Sequence, residues 1–273
     1  MKRFLKYAGL GVVLLLVALF LVMGFRSPSH ERNWKPEYAV LPDVKIDNDT
    51  VQVKNFRDFR FGPGGNVLAA TFENRSYGLS NLKGVWYGIS HFHDFGLAHT
   101  FLSFEFEGRE PLVVSVEARM EVGESYHPVT GQFRNYELIY MLTSERDTIG
   151  TRTHVRGERV YLYRIEAEID KIQLLFKELM ARVNEIHAQA EFYNTLTDNC
   201  TTSLFDHAKQ ISLLQRVFEY RILLPGFSDE LLYEMGLLKE NMSFNDLQKA
   251  ALLDPSRTTL EDPDFSRKIR DIE

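Results

Sequence analysis

His99-Thr100-Phe101-Leu102-Ser103-Phe104-Glu105-Phe106, then Glu107-Gly108-Arg109-Glu110-Pro111, then Leu112-Val113-Val114-Ser115-Val116-Glu117-Ala118-Arg119, read as two strands joined by a turn. Aromatic and β-branched residues fill both runs without helical period, and Gly108 and Pro111 fall where the chain reverses. A hairpin here commits the middle of the chain to an antiparallel sheet. Tyr136 to Thr143 and Val160 to Arg164 supply two further strands. Upstream, Val51 to Phe61 begins short strand-like runs, Gly62-Pro63-Gly64-Gly65 is a turn, and Tyr77 to Phe106 is rich in Gly, aromatics and β-branched residues.

After Arg164 the period changes. Ile169, Ile172, Leu175, Phe176, Leu179, Val183 and Ile186 fall three or four apart on one helical face. A second helix is expected to begin at or just after Cys200, with Leu204, Ala208, Ile211, Leu214 and Phe218 inward, and to end before Pro225-Gly226. Shorter helices follow near Asp229 to Leu238 and Phe244 to Leu253, and the charged tail from Asp254 reads as loosely held.

At the other end, Lys2, Arg3 and Lys6 precede an uncharged apolar run from Ala8 to Phe25. Its 18 residues are at the short end for a spanning helix, and the leading cations favour a cytoplasmic start. The expectation is an uncleaved transmembrane anchor, with a cleaved signal peptide as competitor. The division is then 1–7 cytoplasmic, 8–25 anchor, 26–50 tether, 51–224 catalytic-like periplasmic domain and 225–273 helical extension. This places the chain at a bacterial inner membrane as a single-pass protein with its C-terminal domain in the periplasm. The 273 residues carry a net charge of −6, which becomes −9 beyond the three leading cations. Such an acidic body argues against nucleic acid as a partner.

Cys200 is the single cysteine, so it has no internal disulfide partner. At a helix start, unpaired N–H groups and the helix dipole favour thiolate over thiol, and the same N–H groups suit a developing oxyanion. The base is not fixed by sequence distance, because histidines stand at 30, 91, 93, 99, 127, 154, 187 and 207. His99 is favoured because a strand holds it rigidly, with Ser115 or Glu117 on the neighbouring strand able to orient the ring. The alternative for His99 is a polar strand end, with Ser115 and Glu117 facing solvent. His91-x-His93-Asp94 with His99 is compatible with zinc, although the spacing also arises along any strand or loop. Arg119, Arg134, Glu145, Arg146, Asp147 and Arg152 read by default as a solvated face, with an ion-pair network or a phosphate grip as alternatives. Asn199 lies in one of four sequons, which matter only in a glycosylating host.

Further motifs stand in one order along the chain: Asn55-Phe56-Arg57-Asp58-Phe59, Ala98-His99-Thr100-Phe101-Leu102-Ser103-Phe104, Ser115-Val116-Glu117-Ala118-Arg119, Tyr136-Glu137-Leu138, Ser144-Glu145-Arg146-Asp147, and Phe192-Tyr193-Asn194-Thr195-Leu196-Thr197-Asp198-Asn199-Cys200-Thr201-Thr202. Together they resemble the bacterial envelope family built on the N-terminal periplasmic domain of the Lnb-type lipoprotein N-acyltransferases, formerly a domain of unknown function. The resemblance implies an α+β, circularly permuted papain or NlpC/P60-like fold, with an antiparallel sheet packed against helices. It carries the nucleophile to Cys200, the histidine to His99, and the third role to Glu117 with Ser115 as substitute.

The implied activity is a membrane-anchored cysteine acyltransferase, forming a Cys thioester from phospholipid or lipoprotein acyl groups and extending to lipoprotein N-acylation. It calls for no cofactor or metal. Its partners are a phospholipid or lipoprotein substrate, the membrane, and a separate membrane protein in the transfer case. The recognised transferases carry further spanning helices, whereas this sequence shows no second apolar run of spanning length. The alternatives are a thiol amidase or peptidase, a lipid hydrolase of the envelope, or a noncatalytic scaffold. A polar, open cleft points to the amidase, an apolar groove to lipid, and a buried cysteine far from every histidine to the scaffold.

Overall fold

The computed structural model describes residues 26–208, 219–239 and 241–270, together with Tyr7 and Gly11. In chain order the strands are β1 (Asp43–Asp47), β2 (Thr50–Arg57), β3 (Arg60–Phe61), β4 (Val67–Ala69), β5 (Phe72–Gly78), β6 (Leu82–His91), β7 (Ala98–Phe106), β8 (Leu112–Arg119), β9 (Glu137–Thr143) and β10 (Arg159–Arg164). The helices are α1 (Ile169–Ala188), α2 (Cys200–Ala208), α3 (Tyr220–Leu223), α4 (Ser228–Glu234), α5 (Phe244–Ala251) and α6 (Phe265–Arg270), and a π-helical segment spans Arg146–Val155. Eight strands form one sheet in the order β1-β2-β9-β8-β7-β6-β10, with β5 also on β2, while β3 and β4 pair separately.

The expected hairpin is β7 and β8, antiparallel with Phe101 opposite Ser115 and Phe104 opposite Leu112. The sheet as a whole is mixed, which corrects the antiparallel expectation. Strand β2 meets β9 in parallel at Arg57 and Thr143, a pairing between distant segments that local period does not encode.

Both faces of the hairpin are covered, so its exposure does not alternate. Phe104 and Phe106 pack edge-on against Phe176 of α1 at ring separations of 5.0 and 5.5 Å. Phe101 and Val113 join a second cluster with Ile149, Leu162, Phe265 and Ile269. Phe101 lies over Gly88 of β6, where an added Cβ would stand 2.1 Å from the ring. On α1 the inward residues Ile172 to Ile186 are buried as expected, whereas Ile169 at the first turn is exposed.

The charged tail is docked rather than loose. Phe265 and Ile269 are buried, and Arg270 ion-pairs with Glu145. Residues 26–50, expected as a tether, contain β1 and lie against β8 and β9: Arg32 Nε reaches Glu137 at 2.7 Å, and Arg119 Nε donates to the carbonyl of Tyr38 at 2.9 Å.

The transmembrane anchor expected over residues 8–25 lies outside the described residues, apart from Gly11. Among the described residues no helix is long and apolar enough to cross a membrane. The 20-residue α1 has the length, but Asp170, Lys171, Lys177, Glu178, Arg182 and Glu185 interrupt it with charge. The single-pass inner-membrane placement, and with it the membrane and a membrane protein as partners, has no spanning helix among the described residues to support it. Of the expected second helix, Leu204 is buried, while Ile211, Leu214 and Phe218 lie outside the described residues.

Candidate active site

Helix α2 begins at Cys200 because Asn199 caps it. The Asn199 side-chain oxygen accepts from the backbone N–H groups of Thr201 at 2.8 Å and Thr202 at 2.9 Å, and Thr202 Oγ1 accepts from the Asn199 N–H at 2.9 Å. Such a reciprocal cap stabilises a helix by about 1 kcal/mol and fixes its first residue. With both following amides taken, the Cys200 N–H is the donor left at the helix start. Asn199 is itself 4% exposed and held to the carbonyl of Thr195 at 2.7 Å, so its sequon is structural rather than a glycan acceptor.

Strand β7 meets this helix start. Thr100 Oγ1 lies 3.0 Å from Thr201 Oγ1, and the neighbouring His99 carries the imidazole. His99 Nε2 stands 2.7 Å from Ser115 Oγ and 3.1 Å from Glu117 Oε1. Ser115 gives its one proton to Glu117 at 2.8 Å, so at Nε2 it accepts. The network therefore puts the ring proton on Nε2 and leaves Nδ1 for the thiol. Arg152 closes the chain, donating to Glu117 Oε1 at 3.1 Å.

Electrostatics follow from this order. Burial alone penalises every charge here, but the partners outweigh it. Against burial, Glu117 raises His99 to about 9, with Arg152 opposing and Cys200 assisting. Burial pushes the Cys200 thiol up, yet the charge and hydrogen bond of His99, with help from the Thr100 backbone, bring it down to about 7. Glu117 lies well below the usual carboxylate range despite burial, held by His99, Arg152 and Ser115.

Beside Cys200 opens a cleft of about 410 Å³ with a mixed lining: charged side chains such as Arg57, Asp147, Arg152 and Glu158 alternate with apolar ones such as Phe61, Phe92, Val116, Met120 and Met141, and with Tyr38, Tyr126 and Tyr193. The structure thus brings together Cys200, His99, Ser115 and Glu117. It disperses the remaining histidines. His91 stands edge-on to Tyr161, His93 bonds the Asp94 carbonyl, and His154, His187 and His207 bond Thr258, Pro42 and Tyr140. The zinc reading of His91, His93, Asp94 and His99 has no geometric basis: among the described residues no group of three or more such side chains is placed to hold a metal ion.

Of the charged residues read as a solvated face, Arg119, Glu145, Asp147 and Arg152 are instead buried against separate partners, while Arg134 is exposed and Arg146 half-buried. Glu145 meets Arg270, Asp147 binds Arg57 through both oxygens at 2.7 and 2.8 Å, and Arg119 packs over Trp34 at 4.1 Å. Sequence reasoning missed Asn199 as a cap, although Asn directly before a helix start is among the preferred capping residues. It also missed the contact of Arg152 with Glu117, for which a separation of 35 positions leaves no local signal.

With no spanning helix among the described residues, the expected membrane-anchored thioester acyltransferase on phospholipid or lipoprotein is not sustained. Among families, the one described as the Lnb N-terminal periplasmic domain matches residues 69–226. No curated protein and no solved structure matches the chain.

Proposed function

The chain belongs to the family of the Lnb N-terminal periplasmic domain, and on that premise we propose that it is a cysteine-dependent hydrolase of an amide or ester of the cell envelope. The reading is carried by one arrangement: a capped helix start sets Cys200 against His99, whose far nitrogen is held by Ser115 and Glu117. The order of parts, histidine on a sheet strand ahead of cysteine at a helix start, supports a permuted papain or NlpC/P60-like relationship.

Cys200 is the nucleophile. Its thiolate attacks the carbonyl carbon, and the oxygen that becomes negative lies toward the Cys200 N–H and the positive end of α2. The His99 imidazolium gives its Nδ1 proton to the leaving amine or alcohol. Neutral His99 then takes a proton from water, which attacks the acyl-enzyme, releases the acid and restores the Cys200 thiolate beside the His99 imidazolium. Glu117 and Ser115 position the ring, and Glu117 balances its charge. A scaffold role is disfavoured, since it leaves the proximity of His99 to Cys200 without use.

The test combines the pH dependence of Cys200 alkylation by iodoacetamide with hydrolysis of chromogenic amides and esters. The expected alkylation midpoint is about pH 7, with hydrolysis lost in Cys200→Ala and His99→Ala. A thiol titrating at its ordinary 9.0, indifferent to His99→Ala, sinks the reading.

A further inference from the structure

One wall of the cleft comes from outside the residues that the family matches. Glu37, Tyr38, Arg57 and Phe61 all border the cleft and all precede residue 69. Most charges around the cleft pair off. Arg57 binds Asp147 at 2.7 Å, Arg152 meets Glu117 at 3.1 Å, and Arg156 faces Glu158 at 3.7 Å. Glu37 also borders the cleft, and its carboxylate has no ion-pair partner among the described residues; only its backbone carbonyl is engaged, by Arg57 at 3.0 Å.

Next to it, Tyr38 is 8% exposed. Its backbone is tied down, with the carbonyl accepting from Arg119. Its hydroxyl makes no hydrogen bond among the described residues, although the side chain borders the cleft. The charges that face this phenol are those of Glu117, Arg57, Glu37 and Arg156. The side chain is largely buried, yet its hydroxyl is not among the sealed, unpartnered polar atoms, so this oxygen is open to the cleft and free to bind a ligand there.

From this pairing of an unmatched carboxylate with an unpartnered hydroxyl we propose that Glu37 and Tyr38 form a specificity subsite for a cationic group, a primary amine, on the substrate. The inference rests on the reading that Cys200 is the reacting group of this cleft. An ammonium group has three donors and no acceptor, so a carboxylate and a phenol oxygen can both accept from it. The three arginines are already committed to acids, which leaves one negative charge to be matched. Because this wall lies outside the matched residues, the preference belongs to this chain rather than to the chemistry of Cys200 and His99.

The experiment reads the charge preference of the cleft without needing the natural substrate. The full chain is treated with aminoethyl, sulfonatoethyl and methyl methanethiosulfonate, which are cationic, anionic and neutral. In each case the Cys200 thiolate bonds to the thioalkyl sulfur as a mixed disulfide, and methanesulfinate departs with the electron pair of the broken S–S bond. Rates are referred to those of the same reagents with mercaptoethanol.

The expected result is a cation-over-anion preference of about threefold to tenfold. Glu37→Gln is expected to remove most of it and Tyr38→Phe part of it, with the neutral reagent's rate unchanged. Glu107→Gln, at a distant exposed acid, is expected to leave the preference intact. A preference for the anion, an unchanged ratio in Glu37→Gln, or a thiol closed to all three reagents overturns the proposal. The hydrolase reading is decided separately, by the pH midpoint and its dependence on His99.

Discussion

Glu117, partly buried, and Glu145, fully buried, each accept from a serine on the hairpin and each receive an arginine from a distant segment. Glu117 has Ser115 at 2.8 Å and Arg152 at 3.1 Å; Glu145 has Ser103 at 2.6 Å and Arg270 at 2.6 Å. His99 and Ser103 lie four positions apart on β7 and so share a face. The outcomes are opposite. Burial pushes Glu145 up, and Arg270 and Ser103 do not fully offset it, whereas Glu117 is driven well below the carboxylate range. The difference is His99, a third partner that can take a positive charge, together with access: the Glu117 side chain is 18% exposed at the cleft and that of Glu145 is 0% exposed. The same three residue types thus make a tuned electrostatic support where a titratable ring adjoins them, and a sealed clamp where none does.

The comparison is broken most severely at the ring. His99→Ala is expected to lower hydrolysis by about 10³-fold, within the span of general acid–base effects, and to return the thiol midpoint upward from about 7. Steady-state turnover and iodoacetamide profiles check both. At the clamp, Arg270→Ala leaves Glu145 buried without its cation and is expected to cost about 3 kcal/mol of stability in urea unfolding. The Cys200 alkylation midpoint should stay in place, and a shift there would mean the two sites are coupled.

A milder change sharpens the contrast. Glu117→Gln keeps the shape but removes the charge that raises His99, so the imidazolium is held less well and the thiol rises. Turnover at pH 8 is expected to fall roughly 10- to 100-fold. Ser115→Ala, which removes one of two acceptors at Nε2, is expected to cost only about threefold.

Between the sites also lies a pH signature. Cys200, depressed to about 7, is thiolate above that pH, and His99, raised to about 9, keeps its proton below that one. The ion pair therefore fills the window from about 7 to about 9, and turnover should rise through the first and fall through the second. In Glu117→Gln the upper limb should move down and the lower limb up, narrowing the window.

The hairpin, α1 and the helix starting at Cys200 were legible because each carries its own period or boundary: aromatic strands either side of Glu107 to Pro111, the spacing of Ile172 to Ile186, and a polar run ending in Asn199. Since β7 and β8 are adjacent in sequence and space, the two-residue period of a single hairpin is enough to draw His99, Ser115 and Glu117 together. What stayed hidden depends on distant partners. The segment from Glu145 to Arg152 looks like a charged surface when read locally, yet Asp147 finds Arg57 90 positions away and Glu145 finds Arg270 125 positions away. The tail from Asp254 misled for the same reason. Phe265 and Ile269, four apart, are the only local hint that it docks, and Gly150 makes room for it, since a Cβ there would meet Leu260 at 2.5 Å and Phe265 at 3.3 Å.

The tie between Thr100 and Thr201 joins positions 101 apart, and the nucleophile and its imidazole sit beside that tie. In the nascent or unfolded polypeptide Cys200 has neither capped helix nor neighbouring ring, and its thiol is an ordinary, mostly protonated one at neutral pH. Reactivity arrives only when β7, β8 and α2 have closed on one another. The chain therefore carries an inert sulfur through synthesis and arms it as a product of its own folding, so alkylation rate at neutral pH doubles as a readout of how much of a sample has reached the native state.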